Sequence, residues 1–265
     1  MSTLLDPLFT GSLWSKIRFF YEHALDQGTL VATSQVSGYE VENLYSMFEV
    51  NLWKATSTAD QYHTFDAGSG KTYTADYDVI HGHNLHTAGA TVVLQYSNDN
   101  FSSDIHDVYT AFSPDSDGTI LKRFDSISSR YWRRKITGQT VPPFMAIGIW
   151  GSETELDYAS SDFDPHAYTD KANVNISDTG YLLGIHDKYQ ERNIAISFED
   201  AESELYDQIT AWNDFVGLGN FFIAWELSLH TSDVWLVHSD PAFKNPLTQG
   251  GRFRNINLSL KGRKA

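Results

Sequence analysis

Three histidines fall within the run Ile80-His-Gly-His-Asn-Leu-His86, close enough in sequence to reach one metal ion. Neutral imidazoles bind zinc or nickel, and His81 and His83 share a face if a strand runs through both. No carboxylate or fourth ligand stands beside His81, His83 and His86, so the competing expectation is three side chains lining a loop at a subunit contact. A second set suits carbohydrate. A sugar face stacks on an aromatic ring while polar groups at the rim take its hydroxyls. Tyr39, Tyr62 and Phe101 could supply the rings, with Asp60, Asn98 and Asp99 as hydrogen-bonding partners, from the polar segments 35–39, 53–63 and 98–105. The same six residues would serve equally well as a wet loop rim.

The basic residues Lys122, Arg123, Arg130, Arg133, Arg134 and Lys135 form one cluster in sequence. On an acidic chain such a cluster fits a neighbouring acidic subunit better than nucleic acid. Arg130, Arg133 and Arg134 are therefore expected at a subunit contact, together with Trp14, Phe19 and Tyr21 from an aromatic-rich segment near the start. Gly68-Ser-Gly-Lys-Thr72 lacks the leading glycine and the following apolar helix of a phosphate loop. No pair of carboxylates lies in a diagnostic motif, so no catalytic residue is assigned and no enzyme or cofactor is expected. The acidic run 153–166, with Asp157, Asp162 and Asp164, reads as a linker or as oxygen ligands for calcium.

These residues need elements to hold them. Val92, Leu94 and Tyr96 alternate with Thr91, Val93 and Gln95, the period of a strand. Gly82 and Asn84 favour a turn before it, and 97–100 reads as a loop after it. Further strands are expected at 29–34, 48–55, 73–80, 108–112, 119–124, 131–137 and 144–150, separated by turn residues at regular intervals, which points to a sandwich or jelly roll. Residues 12–25 read as a helix apolar nearly all round, ended by Gly28. Further on, Arg192-Asn-Ile-Ala-Ile-Ser-Phe198 and Arg254-Asn-Ile-Asn-Leu-Ser-Leu260 are near-copies with matching inward faces. They predict two strands in equivalent settings, with a helix between them carrying Leu205, Ile209, Trp212 and Phe215 on one stripe.

The totals are consistent with a globular chain of one large domain or two. Of 265 residues, 41% are hydrophobic and 14% aromatic, enough to fill a core. There is no cysteine, hence no disulfide framework or thiolate metal site. No apolar run reaches bilayer length, so membrane insertion is not expected, and residues 1–11 lack the basic start and apolar middle of a signal peptide. The net charge of −15 repels nucleic acid and anionic lipid.

The ordered set Leu30-Val-Ala-Thr-Ser34, Gly38-Tyr39, Asn43-Leu44, Trp53-Lys-Ala-Thr56, Phe65-Asp-Ala-Gly68, His83-Asn84-Leu85, Ala88-Gly-Ala-Thr91, Leu94-Gln-Tyr-Ser97, Arg130-Tyr-Trp-Arg133 and Gly148-Ile-Trp-Gly151 resembles discoidin-like (galactose-binding-like) jelly rolls. Its flavour is that of tail-tip and baseplate proteins of tailed bacteriophages, over about half the chain. The second half resembles, by pattern, the C-terminal β domain of such tail proteins. The sequence departs from the family at Arg134, where an apolar residue is usual, and a buried Arg134 needs an acidic partner or a subunit interface. The expectation is a mainly β chain. It has an N-terminal helical arm over 1–28, a jelly-roll β-sandwich over 29–152, and a smaller α+β or β domain over 153–265 with a helix at about 202–216. The resemblance implies a structural virion protein, located in the tail, that joins or decorates a ring with copies of itself and other tail proteins. The alternative is a carbohydrate-binding module recognising a host-surface glycan, on a virion or secreted.

Overall fold

The computed structural model describes residues 2–3, 16–160, 164, 166–225, 234–240 and 244–263. The chain divides into two compact units. One comprises 1–15, 20–154 and 226–234; the other comprises 16–19, 155–225 and 235–265. Among the described residues no helix is long and apolar enough to cross a membrane.

The first unit is a β-sandwich. A five-stranded sheet runs in the order Thr29–Ala32, Gln61–Asp66, Tyr131–Thr137, Thr91–Ser97, His106–Asp107. A four-stranded sheet runs Ser2–Thr3, Ile120–Ser129, Tyr73–His81, Ile147–Gly151. Trp53–Lys54 and Phe144–Met145 form a separate ribbon. Alternation along the strands sends one row inward: Gln61, His63 and Phe65 from one strand, Trp132, Arg134 and Ile136 from the next, Val92 and Leu94 from the third. The outward row of the same sheet carries Tyr62, Thr64, Tyr131, Arg133 and Lys135.

In the second unit the sheet order is Arg18–Phe20, Asn220–Ala224, Val234–Ser239, Phe253–Arg263, Leu182–Ala201, Tyr168–Ile176. The two near-copied segments pair directly, Ile194 with Leu260, Ile196 with Leu258 and Phe198 with Ile256, all buried. Helix Ser203–Val216 buries Leu205, Ile209 and Trp212 and ends at Gly217, whose φ of 56° suits glycine. Phe215, expected on the buried stripe, is exposed.

The helix expected over 12–25 is not formed in its described part: Arg18–Phe20 is a strand and 21–24 is irregular. Its apolar character has a different cause. Phe19 packs tilted against Trp212 and edge-on against Phe221, with centroids 5.2 and 4.9 Å away, so the segment is a buried strand, not an arm. Two of the expected strands are also shorter than their apolar content suggests. Of 48–55 only Trp53–Lys54 pairs, and of 108–112 only Phe112 makes a bridge, to Val92.

Candidate functional site

Arg133 lies at the centre of the outward face of the five-stranded sheet, opposite Gln95 on one side and Thr64 on the other. Its guanidinium sits 4.9 Å from the Tyr62 ring centroid and 4.0 Å from that of Phe101, so the two rings flank one cation. Arg133 donates from Nε and Nη2 to Gln95 Oε1 at 3.0 and 2.6 Å, and Gln95 donates in turn to Asp107 at 2.6 Å. Burial lowers the Arg133 pKa from its ordinary value. Phe101 reaches the sheet because its loop folds back over it. Asn100 and Phe101 both hold positive φ, 56° and 61°, a conformation that costs an L-residue energy. Asp99 holds the loop in that shape: its carboxylate accepts from Ser103 Oγ at 2.7 Å and from the amides of Ser102, Ser103 and Asp104. The Ser103 hydroxyl bond is the leading reason its carboxyl is held below the ordinary range. Asn98 donates from its backbone and side chain to Asp104. Asp99 and Asn98 therefore build the loop that carries Phe101 to Arg133.

The six residues expected to gather around a sugar divide between two ends of the sandwich. Ser97 and Asp66 are both register partners of Tyr131, so the 98–105 loop leaves the sheet at the Asp66 end. Asp60 precedes Gln61, at the other end of the same strand, about 20 Å away at ~3.3 Å per residue. Tyr39 keeps company with the distant end too, its carbonyl accepting from Lys54 N at 3.3 Å.

At the Asp66 end the structure adds a cavity that the sequence did not announce. It has a volume of about 130 Å³ and is lined by Ala24, Gln27, Phe65, Lys71, Thr72 and Tyr73. That is smaller than the roughly 300 Å³ of a pocket enclosing a whole small-molecule ligand, and fits a shallow subsite. Its wall is made by the turn after Asp66, where Gly68 and Gly70 take φ of 97° and 72° and Gly68 N donates to Asp66 Oδ1 at 2.8 Å. Arg130 grips Asp66 from Nε and Nη2 at 2.8 and 3.0 Å, lowering the Asp66 carboxyl. The rim offers an amide, an ammonium and a hydroxyl beside the Tyr73 ring.

The histidines do not converge. Strand Tyr73–His81 stops at His81 because Gly82 turns with φ 63°. His81 meets the Thr119 hydroxyl at 2.6 Å and Glu49 at 3.1 Å. His83 donates from Nε2 to the Gly118 carbonyl at 2.7 Å and accepts from Leu85 N at 3.2 Å, and burial pushes its pKa down to about 4. His86 meets the Pro114 carbonyl at 2.9 Å. Each imidazole ties the 82–89 turn to a different partner, and among the described residues no group of three or more His, Asp or Glu is placed to hold a metal.

The expected subunit contacts are mostly internal. Arg134 is fully buried, paired with Asp78 and donating to Gly148 O at 3.1 Å, so its acidic partner lies within the unit. Tyr109 OH donates to the other Asp78 oxygen at 2.6 Å. Phe19 and Tyr21 are buried, and Trp14 lies outside the described residues. The basic cluster is dispersed as well: Arg123 pairs with Glu153, Arg130 with Asp66, and Lys122 lies over the Tyr109 and Phe112 rings.

No protein-family model and no curated protein matches the chain. Solved structures similar to it include chitosan-binding module 1 of a chitosanase/glucanase from Paenibacillus sp. IK-5, at 17% identity and a TM-score of 0.42, over 49% of this chain and 98% of that one. Another is the module CBM32-5 of a Clostridium perfringens protein in complex with GalNAc-β-1,3-galactose, at 12% identity and a TM-score of 0.39, over 48% and 96%. A third is a GH29 fucosidase from Ruminococcus gnavus in complex with fucose, at 13% identity and a TM-score of 0.43; the match takes in 52% of this chain and 28% of the fucosidase.

Sequence reasoning named Tyr62 and Phe101, the two rings that flank Arg133. It missed Gln27, Lys71 and Thr72, which carry no motif. The one available signal was Gly68-Ser-Gly70, a turn able to fold a wall beside a strand end.

Proposed function

We propose that the first unit is a non-catalytic carbohydrate-binding module and that the chain recognises a glycan. The observation that supports this is a loop that presents Phe101 beside Tyr62 and Arg133 on the outward face of the five-stranded sheet; the same unit also carries a cavity with a polar rim at its Asp66 end. Sugar sites combine a ring surface with a few placed hydrogen-bonding groups in this way. A glycan array followed by calorimetry on the best binder tests it. Phe101→Ala, at a half-buried loop position, and Lys71→Ala, at an exposed one, should each weaken binding about tenfold, the effect of losing roughly 1.4 kcal/mol. Failure to bind any glycan, or binding indifferent to both changes, would overturn the reading.

A second reading keeps the sequence resemblance in play: a structural subunit of a bacteriophage tail tip or baseplate, located in the virion and assembled with copies of itself and other tail proteins. An exposed apolar β-hairpin in the second unit favours it, because surface of that kind serves protein contacts. Mass spectrometry of purified particles decides it, and absence of the chain from them would exclude it.

A further inference from the structure

The hairpin of the second unit is built from Tyr168–Ile176 and Leu182–Ala201, closed by a turn in which Ser177 N donates to Tyr181 O at 2.8 Å and Gly180 takes φ 85°. Its base belongs to the core, since Ile194, Ile196 and Phe198 are buried. From residue 173 to 189 almost every side chain is in solvent. This outer part nonetheless has two unlike faces. Residues opposite one another in an antiparallel pair share a face. Val174 pairs with Ile185 on one face; Asn173 with His186 and Asn175 with Gly184 lie on the other. Past the bulge at Asn175/Ile176, Ile176 pairs with Leu182. A greasy row opposed by a polar row is the pattern of a strand pair that buries one side. Here Val174, Ile176, Leu182 and Ile185 are 52% to 62% exposed, and Leu183 and Tyr181 reach 70% and 73%.

The amount of surface limits what covers it. At roughly 200 Å² for a large side chain the four on this face expose on the order of 450 Å². The largest apolar patch on a monomer is about 300–600 Å², and each partner in a standard interface gives up about 800 Å². One face of one hairpin therefore falls short of an obligate interface but suits a contact between two equal arms. Charge points the same way. Residues 168–192 hold four acidic groups, Asp170, Asp178, Asp187 and Glu191, and three basic ones, Lys171, Lys188 and Arg192, a net −1 in a chain of −15. Two copies of so acidic a chain repel over most of their surface and can approach through a near-neutral arm. The strand Tyr168–Ile176 is also the last in its sheet, with its outer edge unpaired among the described residues.

We infer that the outer half of this hairpin, residues 173–186, is a homotypic docking arm that lays its Val174–Ile185 face against the same face of a second copy. The contact is isologous, each arm giving what it receives. It rests on neither reading of the first unit; a free dimer satisfies it as well as a particle does.

The chain has no cysteine, which makes the test direct. Ile185→Cys and His186→Cys, in the full chain, place a single thiol on opposite faces of one strand. Mild oxidation should link the Ile185→Cys protein into covalent dimers and leave the His186→Cys protein largely unlinked. Sedimentation equilibrium should show the wild type self-associating, with the doubly changed Val174→Asp, Ile185→Asp chain about a hundredfold weaker, as loss of a buried central cluster predicts, and with a circular dichroism spectrum that shows the strands still formed. Equal crosslinking of both thiols, or an oligomer untouched by the aspartates, would overturn the inference. So would a wild type that stays monomeric, and co-sedimentation of that monomer with phosphatidylcholine vesicles would reassign the face to lipid.

Discussion

Asp76 is a single carboxyl whose surroundings make the fold sensitive to pH. It lies on strand Tyr73–His81 and accepts from Glu153 N at 2.7 Å. Burial raises its pKa to about 7, with the Glu153 charge pushing the same way against the amide bond. A carboxyl that holds its proton more tightly folded than unfolded gives stability that is full below the unfolded pKa of 3.8 and is lost as pH rises through 7. His83 acts in the opposite sense: with its folded pKa at about 4 against 6.5 unfolded, its contribution is full above 6.5 and lost as pH falls toward 4. Asp76→Asn keeps the acceptor oxygen and removes the titration. The thermal midpoint of the variant should therefore rise relative to wild type from pH 4 to pH 7, most steeply midway between 3.8 and 7, and level off above 7. Scanning calorimetry across that range checks it, and a constant difference would mean that Asp76 does not titrate between the folded and unfolded states.

The two sheets of the sandwich are joined by a charge pair as well as by apolar side chains. Arg134 comes from the five-stranded sheet; Asp78 and the Gly148 carbonyl come from the four-stranded one. Removing one member leaves the other buried and uncompensated, so Asp78→Asn should cost about 3–5 kcal/mol, and Asp78→Leu with Arg134→Met should cost less than either change alone. Urea denaturation measures both, and strictly additive costs would refute the coupling. Gly148 has no room to adjust, since an added Cβ would meet Arg134 Nη1 at 2.5 Å. Arg134 also marks the limit of what the sequence could reveal. Its inward parity was legible from Trp132 and Ile136 on the same row, and so was its need for an acid. Asp78 was not, because that partner is 56 residues away and is chosen by how two sheets face each other. The same holds elsewhere. Alternation disclosed the strands 91–97, 131–137, 192–198 and 254–260, and helical spacing disclosed Ser203–Val216. Segment 12–25 carries Leu13, Ile17, Phe20 and Ala24 at helical spacing, but it is apolar nearly all round, and packing of Phe19 against Trp212 and Phe221 holds Arg18–Phe20 as a strand. In the candidate site Tyr62 and Phe101 could be picked out singly. Their meeting over Arg133 depends on strand register and on a loop folded back through two positive-φ residues, and no local pattern encodes either.

Charge and assembly meet at the scale of the whole molecule. With 34 acidic residues against 19 basic ones, two copies repel at a distance whatever their arms do at contact. That repulsion is long-ranged and screened by salt, over about 30 Å at 0.01 M and about 8 Å at physiological ionic strength. The attraction assigned to the hairpin is apolar and short-ranged, and salt leaves it in place. Self-association should therefore tighten as ionic strength rises from low to physiological, with most of the gain in the association rate, since like-charge repulsion acts on encounter. Were the arm held instead by ion pairs, such as the charges of Lys171, Lys188 and Asp187 exchanged across the contact, the dependence would run the other way. Sedimentation equilibrium at two salt concentrations separates the cases, and weaker association in the saltier buffer would remove the apolar face of Val174 and Ile185 as the source of the contact.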